Sequence, residues 1–435
     1  MKKIALIILL AFIPYSLDAS TTNFPLKRPD HVAASLMIDK LFPVKRPSQP
    51  ILSQILSNKD YELFELALDK AEKYKWERVK GIQSNIKDDL ARDVLEWLRY
   101  YNGATDLNFS NYKDYINHNS QWPLIESIKL KAESKITFQE DNKELIKYFR
   151  DNPPKTGWGK IYYGNALLNI GEIEKGRTLI KEGYINGSLT RKEQAQVIKK
   201  FKNLFNQEDH KKRINELLWD GKYRTASRLI KYVDKDFQKL YEARIGLISF
   251  AGGVDDLIAR VPKRLANHPG LVHDRIKWRV KKRKYDSALE LLLSISESDP
   301  KKLQRPEKFW RQKNILIRRL IDKHQYNTAY ELATNHGLTS NADIASAEWM
   351  AGWISITFLD NPQDALKHFE EIWNVSSRPI SKARAAYWIG KSYEEVGNKE
   401  KSQEWYNKAS VYNLTFYGQL AGVKSEENVF FDPVV

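Results

Sequence analysis

From about Ile51 onward, apolar residues return every three or four positions and almost nowhere alternate with period two, which predicts helices rather than strands. Glycine and proline are sparse, and those present sit where hairpin turns would fall. One phrase recurs. It reads DGKYRTASRLI with Tyr223, Ala226 and Leu229, KRKYDSALELL with Tyr285, Ala288 and Leu291, and KHQYNTAYELA with Tyr326, Ala329 and Leu332. Looser copies carry Ile173, Gly176 and Leu179, then Ala365 and Phe369, then Ser402 and Trp405. Positions i, i+3 and i+6 share one side of a helix. A large residue there anchors the helix start, and a small one lets the preceding antiparallel helix come close. Each unit is then an αα-hairpin whose other face is covered only by stacking. The pattern predicts an all-α fold, an irregular αα-hairpin superhelix of solenoid type. The three best copies lie 62 and 41 residues apart, so the repeat is not strict.

The N-terminal residues break this pattern. Lys2 and Lys3, the apolar run Ile4 to Ile13 and the small-residue exit Leu17-Asp18-Ala19 read as a signal peptide over 1–19. The run is about half of the roughly 20 residues that a spanning helix needs, and no later segment is apolar enough to span. A soluble, exported, periplasmic protein is expected. Residues 20–50 hold Pro25, Pro29, Pro43, Pro47 and Pro50 among scattered Lys and Arg, an extended basic arm around one amphipathic piece from His31 to Phe42. The superhelical domain is placed at 51–421, and 422–435 is read as a truncated linker.

Composition narrows the chemistry. The chain has 435 residues and no cysteine, which removes disulfides, thiolate nucleophiles and cysteine metal sites together. Apolar residues make up 42%, with 12 Trp, 22 Tyr and 17 Phe, enough to build a core without cross-links. The formal charge is +16, and it becomes +15 once Lys2, Lys3 and Asp18 leave with the leader. That charge favours an acidic partner, and export argues against nucleic acid.

The densest charge is DRIKWRVKKRKYD, with Arg275, Lys277, Arg279, Lys281, Lys282, Arg283 and Lys284 around Trp278. It reads either as a polyanion-binding patch with an aromatic platform or as a helix whose Trp278 faces the core while its cations face water. His268 and His273 lack the i, i+4 spacing of a helical metal pair, and His268-Pro269-Gly270 reads as a turn. GWGKIYYG, 157–164, lacks phosphate-loop spacing and reads as the start of a helix. The adjacent acid pairs Asp88-Asp89, Asp255-Asp256 and Glu394-Glu395 point apart on a helix and read as solvated. No cofactor and no metal are expected.

Several strings resemble the soluble lytic murein transglycosylases: DHKKRINELLWDGKYRTASRLI (209–230), YEARIGLISF (241–250), HPGLVHDRIKWRVKKRKYDSALELLL (268–293), and the run from Arg378 to Ala421. Upstream, NSQWPLIESIKLKAES and PPKTGWGKIYYGNALLNIGE are similar to that family's N-terminal helices, so the resemblance extends over about residues 50–421 in order. It implies an α-superhelix closing into a U or a ring, with a separate lysozyme-like catalytic domain on its C-terminal side. It also implies periplasmic action on peptidoglycan glycan strands. There one Glu cleaves the N-acetylmuramic acid to N-acetylglucosamine bond and leaves a 1,6-anhydro sugar.

The family's catalytic fingerprint, a helical Glu-Ser followed downstream by Gly-Leu-Met-Gln, is not matched. Past Met1 the methionines are Met37 and Met350, and neither stands in such a string. The Glu-Ser pairs Glu126-Ser127, Glu133-Ser134 and Glu297-Ser298 fall inside the superhelical part and read as surface pairs. No catalytic residue is assigned. The expectation is a peptidoglycan-associated superhelical domain that is not catalytic alone, partnered by glycan strands or by a separately encoded catalytic chain. The alternative is a helical-repeat adaptor for an envelope protein or an anionic surface. In the last segment Tyr412, Phe416, Tyr417 and Leu420 are expected to close the apolar end of the stack, with Phe430 and Phe431 beyond it.

Overall fold

The computed structural model describes residues 55–296 and 304–425. The segments read as a signal peptide (1–19) and a basic arm (20–50), Glu297-Ser298 and Phe430-Phe431 lie outside them. The described residues form 22 α-helices and two short 3-10 turns, with no strand among them, so the all-α expectation holds. None of these helices is long and apolar enough to cross a membrane. The chain divides into two compact units, 1–99 and 100–435.

In the first unit the helices Asn58–Glu72 and Trp76–Gln83 form a hairpin. Ala67, Ala71, Trp76 and Val79 are buried in it. The buried Asp60 carboxylate accepts the backbone N–H groups of Lys87 (3.0 Å) and Asp88 (3.3 Å) and so fixes the chain after the second helix.

The second unit is a run of consecutive helical hairpins, and the recurrent phrase marks their turns. Two residues before each phrase helix begins, the backbone enters the left-handed region: Gly171, Gly221, Arg283, His324, Asp360 and Gly397, with φ between 49° and 92°. In five of the six the next N–H reaches back to a carbonyl five residues earlier. Glu172, Lys222, Lys284, Gln325 and Asn398 bond Leu167, Leu217, Arg279, Leu320 and Tyr393 at 2.8–2.9 Å. This is the Schellman closure, which satisfies the carbonyls orphaned at a helix end and reverses the chain in few residues. Three of the six left-handed positions carry a side chain. For an L-residue that conformation costs about 1–2 kcal/mol, partly offset by the backbone entropy a glycine would lose. Arg283→Gly and His324→Gly should each stabilise the protein by about 0.5–1 kcal/mol, read as a rise in thermal midpoint. A fall in midpoint would refute this account of the turns.

The small residues lie where the spacing put them. Ala226, Ala288, Ala329 and Ala365 are fully buried, and Ser402 nearly so. The helices Gly157–Asn169 and Ile173–Asn186 approach backbone to backbone. A Cβ on Gly183 would fall 2.4 Å from the Gly157 carbonyl oxygen, and one on Gly176 would fall 2.7 Å from that of Gly164. Contacts that pair 157 with 183 and 164 with 176 run in opposite directions, so the hairpin is antiparallel. GWGKIYYG is indeed a helix start, capped by Thr156, whose hydroxyl accepts the Gly159 N–H at 2.8 Å.

Five details depart from the sequence expectations. Ile173 is 43% exposed and anchors nothing, because Gly164 and Gly176 already bring the backbones together. Leu291 is only half-buried while Leu292 is fully buried, and Tyr406 rather than Trp405 fills its hairpin, since the true helical repeat drifts by one position over two turns. Phe416 is 64% exposed. The last helix, Phe416–Lys424, is held instead by buried Gly418 and Ala421 and by the ring of Tyr417 against Tyr387 at 5.4 Å. Glu133 is not a surface residue: it is buried, and its carboxylate accepts the N–H groups of Lys155 (2.7 Å) and Thr156 (2.8 Å) and the Thr156 hydroxyl. It secures the start of the next helix. Glu126, by contrast, lies at the surface and pairs with Lys129 (2.9 Å) and with Lys155.

Candidate functional site: a cationic turn and a cleft without acids

The basic run belongs to the helix Pro269–Lys281 and the turn that follows it. His268-Pro269-Gly270 is not a turn but the helix N-terminus. His268 Nδ1 accepts the Gly270 N–H (3.2 Å), and proline occupies the first helical position, where its missing N–H is harmless. Burial, with Arg244 second, pushes the His268 imidazole down to about 4. Leu271, Val272, Ile276 and Val280 form the inner face, and Trp278 packs partly against the neighbouring core to which Leu271 belongs.

The seven cations divide. Lys277, Lys281, Lys282, Arg283 and Lys284 are exposed, and Arg275 and Arg279 are half-buried. Arg279 is taken up internally, donating to the Ser287 carbonyl at 2.7 Å. Burial, with Arg279 second, lowers the Arg275 guanidinium, and Asp255 pulls the other way. The ammonium groups of Lys282 and Lys284 lie 5.9 and 5.3 Å from the Trp278 ring. The structure thus gathers Lys282 and Lys284 at Trp278 and spreads Lys277, Lys281 and Arg283 over the surface. None of the seven is in an ion pair among the described residues.

Asp274, in the same run, turns inward. Its Oδ2 accepts Arg244 Nε at 2.7 Å and its Oδ1 meets His273 Nδ1 at 3.1 Å, while Asn215 Oδ1 accepts Arg244 Nη1 at 2.6 Å. The two histidines therefore serve a helix cap and a buried ion pair, and no group of metal-ligating residues gathers among the described residues.

A second location escaped the sequence reading. A cleft of about 470 Å³ opens among the helices Pro306–Asp322, Asn341–Phe358 and Pro379–Glu395. Its charges are Arg318, Arg378 and Arg384, and no carboxylate lines it. Its other polar groups are hydroxyls and amides, among them Ser346, Ser381, Asn314 and Asn341. Arg318 is oriented by a bond from its Nε to Asn314 Oδ1 at 3.1 Å. Arg384 has no ion pair among the described residues. Its guanidinium lies 5.3 Å from the Trp349 ring, its Nε is buried without a partner, and burial pushes its pKa down. The Trp349 indole N–H is likewise buried and unpaired. Two orphaned donors beside one cation-lined cleft are costly for the stack. The residues are scattered over 314–384, so no local string advertises the cleft.

Next to Trp349 on the same helix, Glu348 joins three elements. Its two oxygens meet His336 Nε2 at 3.0 Å and His368 Nδ1 at 2.5 Å, and His368 Nε2 meets the Tyr330 hydroxyl at 2.9 Å. Burial raises the Glu348 carboxyl, but the two histidines outweigh it and hold it at about 2. Both oxygens are engaged, so this cluster is a clamp between hairpins.

The described residues of the second unit are thus an all-α run of helical hairpins with a cationic cleft among three of their helices. No protein-family profile and no curated protein sequence matches the chain. Among solved structures, the 70-kDa soluble lytic transglycosylase of Escherichia coli is similar over 84% of this chain at 14% identity, with a TM-score of 0.49. The complex of the 70-kDa soluble lytic transglycosylase with bulgecin A gives the same figures. This chain spans 58% of the length of those chains. The Cut9–Hcn1 hetero-tetramer of the APC/C is similar over 82% of this chain and 88% of its own at 11% identity, with a TM-score of 0.21.

Proposed function

We propose that this chain is the helical, wall-binding part of a soluble lytic transglycosylase system of the cell envelope, holding anionic glycan strands and cleaving none by itself. The observation that carries this reading is Arg384, a half-buried cation without an acidic partner in a cleft that supplies two more arginines, hydroxyls and amides. A strand that carries carboxylates beside hydroxyls would answer the charge. The strings at 209–230, 268–293 and 378–421 support the family, the last of them including Arg378 and Arg384 themselves. Export through residues 1–19 belongs to the same proposal. The exposed cations at Lys281–Lys284 favour the second reading, an adaptor for an anionic surface.

Purified full chain should sediment with peptidoglycan sacculi and release no anhydro-muropeptides. Arg384→Gln should weaken that binding by about tenfold, the effect of one charge-assisted contact, while leaving the unfolding midpoint unchanged or raised, because it removes a buried, unpaired charge. Equal sedimentation of both proteins would refute the cleft. Capture by anionic vesicles, lost on changing Lys282 and Lys284 to Gln, would favour the adaptor instead.

A further inference from the structure

A separate cleft, of about 380 Å³, lies between the helix Arg191–Lys200 and the segment 228–232. Five cations line it: Arg191, Lys199, Lys202, Arg228 and Lys231. No carboxylate lines it, and none of the five is in an ion pair among the described residues. Arg228 donates only to the Thr225 hydroxyl at 3.2 Å, and Lys231 rests 5.2 Å from the Tyr232 ring. The nearby Glu193 is turned away, its carboxylate accepting the Thr190 N–H at 2.7 Å. Five like charges around one small cleft repel one another unless an anion sits among them.

The floor is apolar, made by Ile198, Leu229 and Tyr232, the last stacked on His210 at 4.8 Å. Gln194 also lines the cleft and is only 3% exposed. Its Oε1 accepts Arg213 Nε at 3.0 Å, so its amide nitrogen is left as a fixed donor, and no protein acceptor meets it. A nearly buried side chain anchored at one end and unpartnered at the other is a built feature, independent of the surface charge.

We infer that this cleft binds a short acidic peptide segment, its carboxylates held by the rim cations, a carbonyl by Gln194 and its apolar body by the floor. The volume lies at the small end of ligand sites, room for a few residues. A bare phosphate or polyphosphate would satisfy the rim and leave the apolar floor uncovered, so the peptide is the better match. The inference does not depend on the wall-binding reading, which rests on other helices.

The test is calorimetric titration of the full chain with acetyl-Glu-Leu-Glu-amide, its Gln-Leu-Gln counterpart, and pyrophosphate. The acidic peptide should saturate a single site, and the neutral one should bind at least about tenfold more weakly. The double change of Arg228 and Lys231 to Gln should cost a similar factor, whereas changing Lys282 and Lys284 to Gln should cost nothing. If the double variant loses its unfolding midpoint, Lys202→Glu, at an exposed position, makes the same test. Pyrophosphate binding as tightly as the peptide would overturn the ligand class. No saturable binding, or equal weakening by Lys282 and Lys284 changes, would overturn the site.

Discussion

Arg244→Met should destabilise the second unit by about 3–5 kcal/mol, the cost of breaking a buried ion pair from one side. Arg244 is fully buried and Asp274 nearly so. Removing the guanidinium leaves the Asp274 carboxylate with only His273 and strips Asn215 of its donor. Relaxation around the gap is limited, since Gly270 packs directly on the guanidinium: a Cβ there would fall 2.3 Å from its central carbon. Urea unfolding followed by Trp fluorescence is a suitable measurement, because the Trp219 ring lies 5.4 Å from Arg244. The companion is Arg244→Met combined with Asp274→Leu. If the loss comes from an uncompensated charge, the double variant should recover much of it. A loss below about 1 kcal/mol for the single variant would show that the pair holds little.

That pair also marks where the sequence stops being legible. The helices and their turns could be read, because period and turn chemistry are local: Ala226, Ala288 and Ala329 sit in phrases that state their own packing. Buried charge is not local. Asp274 stands at the head of a run of seven cations, yet its partner is on another helix 30 residues away. Glu133 reads as a surface acid for the same reason, its acceptors being spent on a segment 22 residues on. Lys313 falls on the apolar stripe of its helix with Phe309, Leu316 and Ile317. Its ammonium meets the Asn335 carbonyl at the end of the helix Tyr326–Thr334, where the helix dipole favours a cation, and burial pulls its pKa down to about 8. The sharp candidate of the sequence, the basic run, is conspicuous because its residues are contiguous. The cleft at Arg384 is built from three helices and could be found only in three dimensions. Arg213, Arg244, His273 and Asp274 are likewise buried polar residues that tie successive hairpins together.

Gly183→Ala should also be severely destabilising, by roughly 3 kcal/mol or more, although alanine in an exposed helix interior normally gains about 1 kcal/mol over glycine. The sign is decided by the neighbour. The new Cβ would fall 2.4 Å from the Gly157 carbonyl oxygen and 2.8 Å from Ile161, and backbone cannot swing aside as a lysine tip can. The helices Gly157–Asn169 and Ile173–Asn186 must therefore separate, opening the core at Ile161, Ile180 and Tyr184, all fully buried. The disturbance then travels. The carbonyls of Tyr184 and Gly187, just past the substitution, accept Arg213 Nη1, whose other amino nitrogen already has no partner. A shift there leaves that buried cation with its Nε bond to Gln194 alone and couples one hairpin to the next. Gly81→Ala is the control, a helical glycine with nothing within 4 Å of the added carbon, and it should stabilise by about 1 kcal/mol. Both are read from equilibrium unfolding midpoints. If Gly183→Ala melts with the native protein, the glycines are not what sets the spacing of this hairpin; if Gly81→Ala falls as far as Gly183→Ala, the loss belongs to the substitution and not to the contact.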